Sequence, residues 1–403
     1  MRLQAILYFV ACLLSALKLQ ADELGKIDNY GANPGNLDMY TYIPANIDTT
    51  TARPMVVVLH GCSQTANAAA ELSGWNKLAD LYGFYVLYPQ TKVSNNMSAC
   101  FNWFNEEDIS KGQGECASIH HMQQYMYRHY KIDSSQVFIT GLSAGAAMGV
   151  VMMATYPNEY NTGAIFAGGA YRLSTNIATA TAAMAGWVIK SPKTWGDLVR
   201  AQNPKYNGLY PKLIVYQGTE DAIVNKRNAG ELIKQWADIW GMEPIPVKAI
   251  NSYAGVKDIT RSLYKTKQGI PAITYYEVGH MGHALLVKPG ACRNEGGKDA
   301  TFSVNKGFHS TYQTALDFGL IPSPSITGKE EVHKNETALT FSVPAYSGSS
   351  YTWQLPAGCT ITSANSGPSI VVNWGAESGD ILVSETDSNG CVYNIAALYV
   401  TAE

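Results

Sequence analysis

Between Leu37 and Val278 the chain alternates short, unbroken apolar runs with longer stretches of helical periodicity. The runs 37–43, 55–59, 84–88, 137–140, 164–167, 213–217 and 272–278 read as strands. Several are apolar throughout, as expected of strands covered on both faces. Segments 66–82, 118–130, 144–156 and 228–240, with another near 306–318, read as helices. This alternation predicts a mostly parallel sheet, with right-handed crossovers laying helices on both faces. Residues 179–211 break the rhythm. With Trp187, Pro192, Trp195 and Pro204 they read as a cap-like insertion, or as packing on the flank of the core.

At Ile321-Pro322-Ser323-Pro324-Ser325 the pattern changes. Beyond this short, stiff linker, apolar residues recur at every second position in 338–343, 350–355, 369–374, 380–386 and 393–400. Turn signals such as Ser388-Asn389-Gly390 separate the runs, which predict a small β-sandwich. Trp353 and Trp374 fall within these runs, and tryptophans in so small a sandwich usually pack the core.

The first residues read as a secretory signal over 1–21: Arg2, an apolar run from Ile6 to Leu17, then Leu19-Gln20-Ala21 as the cleavage site. That places the protein outside the cytoplasm, secreted or periplasmic, in a bacterial setting. No other stretch is long and apolar enough to span a bilayer. A formal net charge of −3 offers no electrostatic case for nucleic acid. Six cysteines follow the signal, an even number that suggests disulfides in an exported chain. Cys359 and Cys391, apart from the others, are expected to pair. Cys62, Cys100, Cys116 and Cys292 allow three pairings. No metal-ligand spacing stands near them, so neither metal nor cofactor is expected. The expected organisation is a signal over 1–21, an α/β unit over 22–320, a linker over 321–325 and an all-β module over 326–403.

The candidate chemistry centres on Gly141-Leu142-Ser143-Ala144-Gly145, between an apolar strand and a run of small residues. Strand, tight turn and helix in that order form the nucleophile elbow of α/β-hydrolases. The glycines allow close approach, Ser143 is raised at the sheet edge, and the Ala144 N–H faces the developing oxyanion. The acid should leave a later strand. Asp221, in the exit turn Gly218-Thr219-Glu220-Asp221, fits better than Glu220, Asp197 or Asp258. The base should follow the last strand, where His280 and His283 compete. His283, between Gly282 and Ala284, has room to reach the serine. The second oxyanion donor falls at the Cys62 N–H, in His60-Gly61-Cys62-Ser63-Gln64. Gln64 and Trp103 are candidate substrate contacts.

These segments, with Cys100-Phe101-Asn102-Trp103-Phe104 and Tyr216-Gln217-Gly218-Thr219-Glu220-Asp221, resemble the extracellular esterases grouped with poly(3-hydroxybutyrate) depolymerases, whose relatives include feruloyl and acetylxylan esterases. The resemblance covers residues 28–320. It implies an α/β-hydrolase fold, a Ser143–His283–Asp221 triad, an acyl-enzyme, and a polyester or a feruloylated or acetylated polysaccharide as substrate. The tail resembles PKD-like or immunoglobulin-like modules, through Ser350-Tyr351-Thr352-Trp353 and Val371-Val372-Asn373-Trp374. Such a module implies a spacer or a polymer contact, with Trp353 or Trp374 as the candidate contacts. A peptidase on the same fold and an inactive binding protein are the rival functions.

Overall fold

A computed structural model describes residues 24–322 and 324–403. The expected signal segment lies outside the described residues. The larger unit is built on one ten-stranded sheet. Its strands are β1 (Gly25–Ile27), β2 (Asp38–Tyr42), β3 (Arg53–Leu59), β4 (Tyr85–Gln90), β5 (Ile132–Leu142), β6 (Thr162–Phe166), β7 (Lys212–Gly218), β8 (Lys248–Ile250), β9 (Ile259–Lys265) and β10 (Pro271–Val278). They lie in the order β1-β2-β4-β3-β5-β6-β7-β10-β9-β8. The six strands from β4 to β10 run parallel, and both margins are antiparallel.

Helices cover both faces, as the alternation predicts. They are α1 (Ala66–Ser73), α2 (Trp75–Tyr82), α3 (Gly114–His129), α4 (Ala144–Thr155), α5 (Ile177–Met184), α6 (Pro192–Arg200), α7 (Arg227–Ile239) and α8 (Ser310–Phe318). Successive residues of β3 point to opposite sides. Met55, Val57 and Leu59 pack with α3, α4 and α7, whereas Val56 and Val58 pack with α1, α2 and α8. The helix expected over 66–82 is two helices, because Gly74 between them takes a left-handed conformation at φ 76°. The insertion at 179–211 carries most of α5 and all of α6. Trp195 in α6 is wholly buried, and its indole N–H donates to Glu231 of α7 at 2.7 Å.

Past α8, Leu320 and Ile321 belong to the core of the larger unit and Ile326 to that of the smaller. The smaller unit faces a four-stranded sheet against a three-stranded one. Trp353 and Trp374 are buried between the sheets, each indole N–H donating to a backbone carbonyl at 3.0 Å. They are core residues and present no surface to a polymer.

The expected Cys359–Cys391 bond does not form. Cys391 joins Cys292 of the larger unit, Cys62 joins Cys100, and Cys116 and Cys359 are free. The two units dock closely enough for a bond between them, which sequence distance does not report. Beside that bond, Arg293 reaches Glu385 through its two terminal guanidinium nitrogens and lies between the rings of Tyr346 and Tyr393, at 3.9 and 3.8 Å. Lys77 of α2 donates to the carbonyls of Gly290, Cys292 and Glu295, fixing the segment that carries the bridge.

Candidate active site

β5 ends directly in Ser143, and α4 begins at the next residue. Ser143 sits at φ 58° and ψ −120°, a region costly for a residue with a side chain. The turn is held by the Ser143 N–H, which donates to the Phe166 carbonyl at 2.9 Å, and by close contact between backbones. A Cβ on Gly145 would lie 2.3 Å from the Leu59 carbonyl oxygen, and one on Gly141 would lie 2.5 Å from the Gly145 carbonyl carbon. Only glycine allows α4 to start this close to β3 and β5.

Asp221 and His283 meet in the loops after β7 and β10. His283 Nδ1 lies 2.8 Å from Asp221 Oδ2. The other carboxylate oxygen, Oδ1, accepts the N–H groups of Ile223 and Val224 at 2.9 and 2.8 Å. Gln217 Nε2 also donates to Oδ2, at 3.1 Å. Burial works to raise the carboxyl's pKa. The hydrogen bond and charge of His283 and the two backbone donors outweigh it, and the pKa falls below its ordinary value. An ionised carboxylate can only accept, so Nδ1 carries the imidazole proton and Nε2 keeps its lone pair. The competing pair, His280 and Glu220, also meet, at 2.9 Å, but both side chains are exposed.

The loop after β3 is locked from several sides. His60 is buried, accepts the Thr91 N–H at Nε2 (3.1 Å) and donates from Nδ1 to the Gly61 carbonyl (2.7 Å). Burial pushes its pKa down to about 4, so it stays neutral. Gln64 Oε1 accepts the Gly61 N–H at 2.7 Å. The Cys62–Cys100 bond ties this loop to the one after β4. That second loop rests on Glu115, which is buried and accepts the Asn102 N–H at 2.7 Å. Among the described residues, neither the Cys62 nor the Ala144 N–H is hydrogen-bonded to protein.

Two cavities open on Ser143. The outer one, about 290 Å³, is also lined by His283, Gln64, Ser98, Ile223 and Phe302. The inner one is about 40 Å³ and shares Cys62, Ser143 and Met184 with the outer. Its other walls include Trp103, Ala144, Leu173 and Asn228, and His283 does not reach it. The structure thus places all seven candidates, Ser143, Asp221, His283, Cys62, Ala144, Gln64 and Trp103, around one place. Sequence reasoning missed Gln217, Asn228 and Phe302. Gln217 could have been found as the last side chain of β7 before the acid's turn. Phe302, edge-on to His283 with ring centroids 6.0 Å apart, carries no signal in the sequence. Among the described residues, no group of three or more His, Cys, Asp or Glu side chains could hold a metal ion.

The family described as Esterase PHB depolymerase matches residues 37–246, and the PKD-like domain family matches 320–399. Poly(3-hydroxyalkanoate) depolymerase C of Paucimonas lemoignei is 37% identical over 318 residues, 79% of this chain and 75% of that protein. Feruloyl esterase B of Neurospora crassa is 35% identical over 226 residues, 55% of this chain and 76% of the enzyme. Among solved structures, an acetyl xylan esterase from Aspergillus awamori superposes with a TM-score of 0.59 at 27% identity, over 65% of this chain and 94% of that one.

Proposed function

The chain belongs to the Esterase PHB depolymerase family and is a serine hydrolase of carboxylic esters, and from that premise we propose that Ser143, His283 and Asp221 carry the reaction on a polyester. One observation carries the assignment. Ser143 shares the outer cavity with a histidine whose far nitrogen is bonded to a buried carboxylate, and Cys62 and Ala144, whose N–H groups are unengaged, both line the inner cavity on which Ser143 also opens.

The proposed steps are those of a Ser-His-Asp triad. The Ser143 hydroxyl oxygen attacks the ester carbon while its proton passes to His283 Nε2. The carbonyl's electron pair moves onto its oxygen, where the Cys62 and Ala144 N–H groups stabilise it, each contributing about 3 kcal/mol. Collapse of this intermediate breaks the bond to the alkoxy group, which takes the proton from His283. Water then attacks the acyl-enzyme by the same route and releases the acid. Asp221 holds the imidazole tautomer and stabilises the imidazolium. The leaving group must lie beside His283, so the outer cavity takes the alcohol side and the inner cavity the acyl side.

A polyester is favoured by the depolymerase relative, whose similarity reaches across 79% of this chain, and by the apolar mouth of the site. Ile223 in the cavity wall is exposed, as is Met97, the chain neighbour of the lining residue Ser98. A second reading, deacylation of a plant polysaccharide, is supported by the feruloyl and acetylxylan esterase relatives. In either reading the protein works outside the cytoplasm, with a signal at 1–21, a catalytic unit over 22–320, a linker over 321–325 and a module over 326–403 that meets polymer. A panel of polyhydroxybutyrate film, methyl ferulate and acetylated xylan decides the substrate. Release of soluble hydroxy acid from the film is expected. Turnover confined to xylan or ferulate would move the reading to polysaccharide.

A further inference from the structure

The last side chain of β7 is a buried amide where the strand pattern calls for an apolar group. Leu213 and Val215 pack into the core on the α3, α4 and α7 face of the sheet. With a strand period of two, position 217 continues that face, yet it holds a glutamine that is only 1% exposed. Gln217 Nε2 donates to Asp221 Oδ2 at 3.1 Å, to the Val224 carbonyl at 3.2 Å and to the Gly218 carbonyl at 3.3 Å. These oxygens set the orientation of the amide, because turning it over would press Oε1 against a carboxylate and two carbonyls. Oε1 has no donor among the described residues. A buried acceptor without a partner is destabilising, so what distinguishes this residue is what its nitrogen holds.

All three contacts converge on the acid. Gly218 and Val224 flank the turn that carries Asp221, and Oδ2 is the oxygen that faces His283 Nδ1. Oδ2 therefore divides its charge between two donors, while Oδ1 is held by the N–H groups of Ile223 and Val224. Resting on the triad reading above, we propose that Gln217 is a positioning residue for the reaction: its amide clamps the Asp221 carboxylate in line with His283 and moderates the charge that the imidazole meets. Without the amide, Oδ2 is held less firmly and pulls harder on the imidazolium. Gln217 lines neither cavity at Ser143, so it acts on turnover and not on substrate binding.

The other charged groups around these loops are engaged elsewhere or face solvent. Glu220 and His280 pair with each other, both exposed. Glu277, beside Gln217 on β10, accepts the Tyr275 hydroxyl at 3.2 Å. Asp258 meets Lys306 at 3.3 Å, next to the Gly279 carbonyl. Lys226 and Arg227 are exposed at the start of α7, and His60 is buried and neutral after β3. Among the described residues, Asp221 is the charged group to which Gln217 is hydrogen-bonded.

The test follows kcat and KM on p-nitrophenyl butanoate across pH for the full chain, with active sites counted by fluorophosphonate titration. Gln217→Met keeps the length of the side chain and removes the donor. Its plateau kcat should fall by about tenfold or more, with KM changed less than about twofold. Its acid limb of kcat/KM should move up by about half a pH unit or more, so the loss is greatest on the acid side. Gln217→Glu keeps the shape and, while its carboxyl holds a proton, still donates to Oδ2. As that proton leaves, two carboxylates face each other and repel. The loss relative to the unmodified enzyme should then grow by about tenfold toward alkaline pH. The two variants thus lose activity at opposite ends of the pH range, whereas a residue that only packs the strand end would lower activity by one factor at every pH. A loss independent of pH in either variant, or one carried by KM, overturns the assignment and leaves the esterase reading intact. If Gln217→Met does not fold, the profile of Gln217→Glu decides alone. Failure of the unmodified enzyme to cleave the ester overturns both.

Discussion

Ser143 and Asp221 illustrate how single residues carry the site. The serine's strained φ is held by the bond from its own N–H to β6 and by the close contact around Gly145. The aspartate has every acceptor position occupied, which keeps it ionised next to an imidazole. Glu115 is the opposite case. Burial and the neighbouring Asp108 push it up to about 8, against roughly 4.3 in an unfolded chain. Between those values the folded protein holds a proton that the unfolded chain has lost, so this residue's contribution is present below the lower value and lost as pH rises through the upper. We expect the melting temperature of the wild type to fall more steeply between about pH 5 and 8 than that of Glu115→Gln, measured by scanning calorimetry. Parallel curves would refute it. His60 and His309, pushed down to about 4 by burial, act in the other window, and stability falls as pH drops from about 6.5 toward 4.

At the level of elements, the strands were the most legible part of the chain, because unbroken apolar runs between helices admit few other readings. β9 and the edge strand β8 beside it were not, since Thr260, Arg261 and Ser262 interrupt any apolar run in β9. The meeting of Asp221 and His283 was legible for a related reason: each lies in the loop after a strand that ends at the same rim of the sheet. Asn228 and Phe302 were not legible, because they matter only through what packing sets beside them. The two loops that carry Cys62 and Cys100 make an element of their own. Their bond, closing a separation of 38 residues, supports stability by up to about 4 kcal/mol. It also fixes the Cys62 N–H. Replacing Cys100 by serine should therefore lower kcat on a p-nitrophenyl ester by about tenfold or more, with a much smaller change in KM. If kcat is retained while the melting temperature falls, the bond has no part in placing the oxyanion donor.

At the scale of the whole molecule, the pairing of Cys292 with Cys391 shows what cysteine position along the chain cannot: a surface formed only when two units dock. Arg293 is its centre. Its guanidinium is stacked between two tyrosines and paired with Glu385, whose side chain is wholly buried. Removing the carboxylate strands a buried positive charge, which costs about 3–5 kcal/mol. In Glu385→Ala the small module should unfold at a lower temperature than the catalytic unit, splitting a single calorimetric transition in two. A single, unshifted transition would mean that the docked arrangement does not depend on this pair.

The most direct test of the account is covalent labelling of the full chain with a fluorophosphonate, followed by peptide mass spectrometry and a p-nitrophenyl butanoate assay. The account predicts one modified residue, Ser143, with activity lost in proportion to labelling. His283→Ala should label at least about a hundredfold more slowly. Labelling at another serine, or full activity in Ser143→Ala, would contradict it.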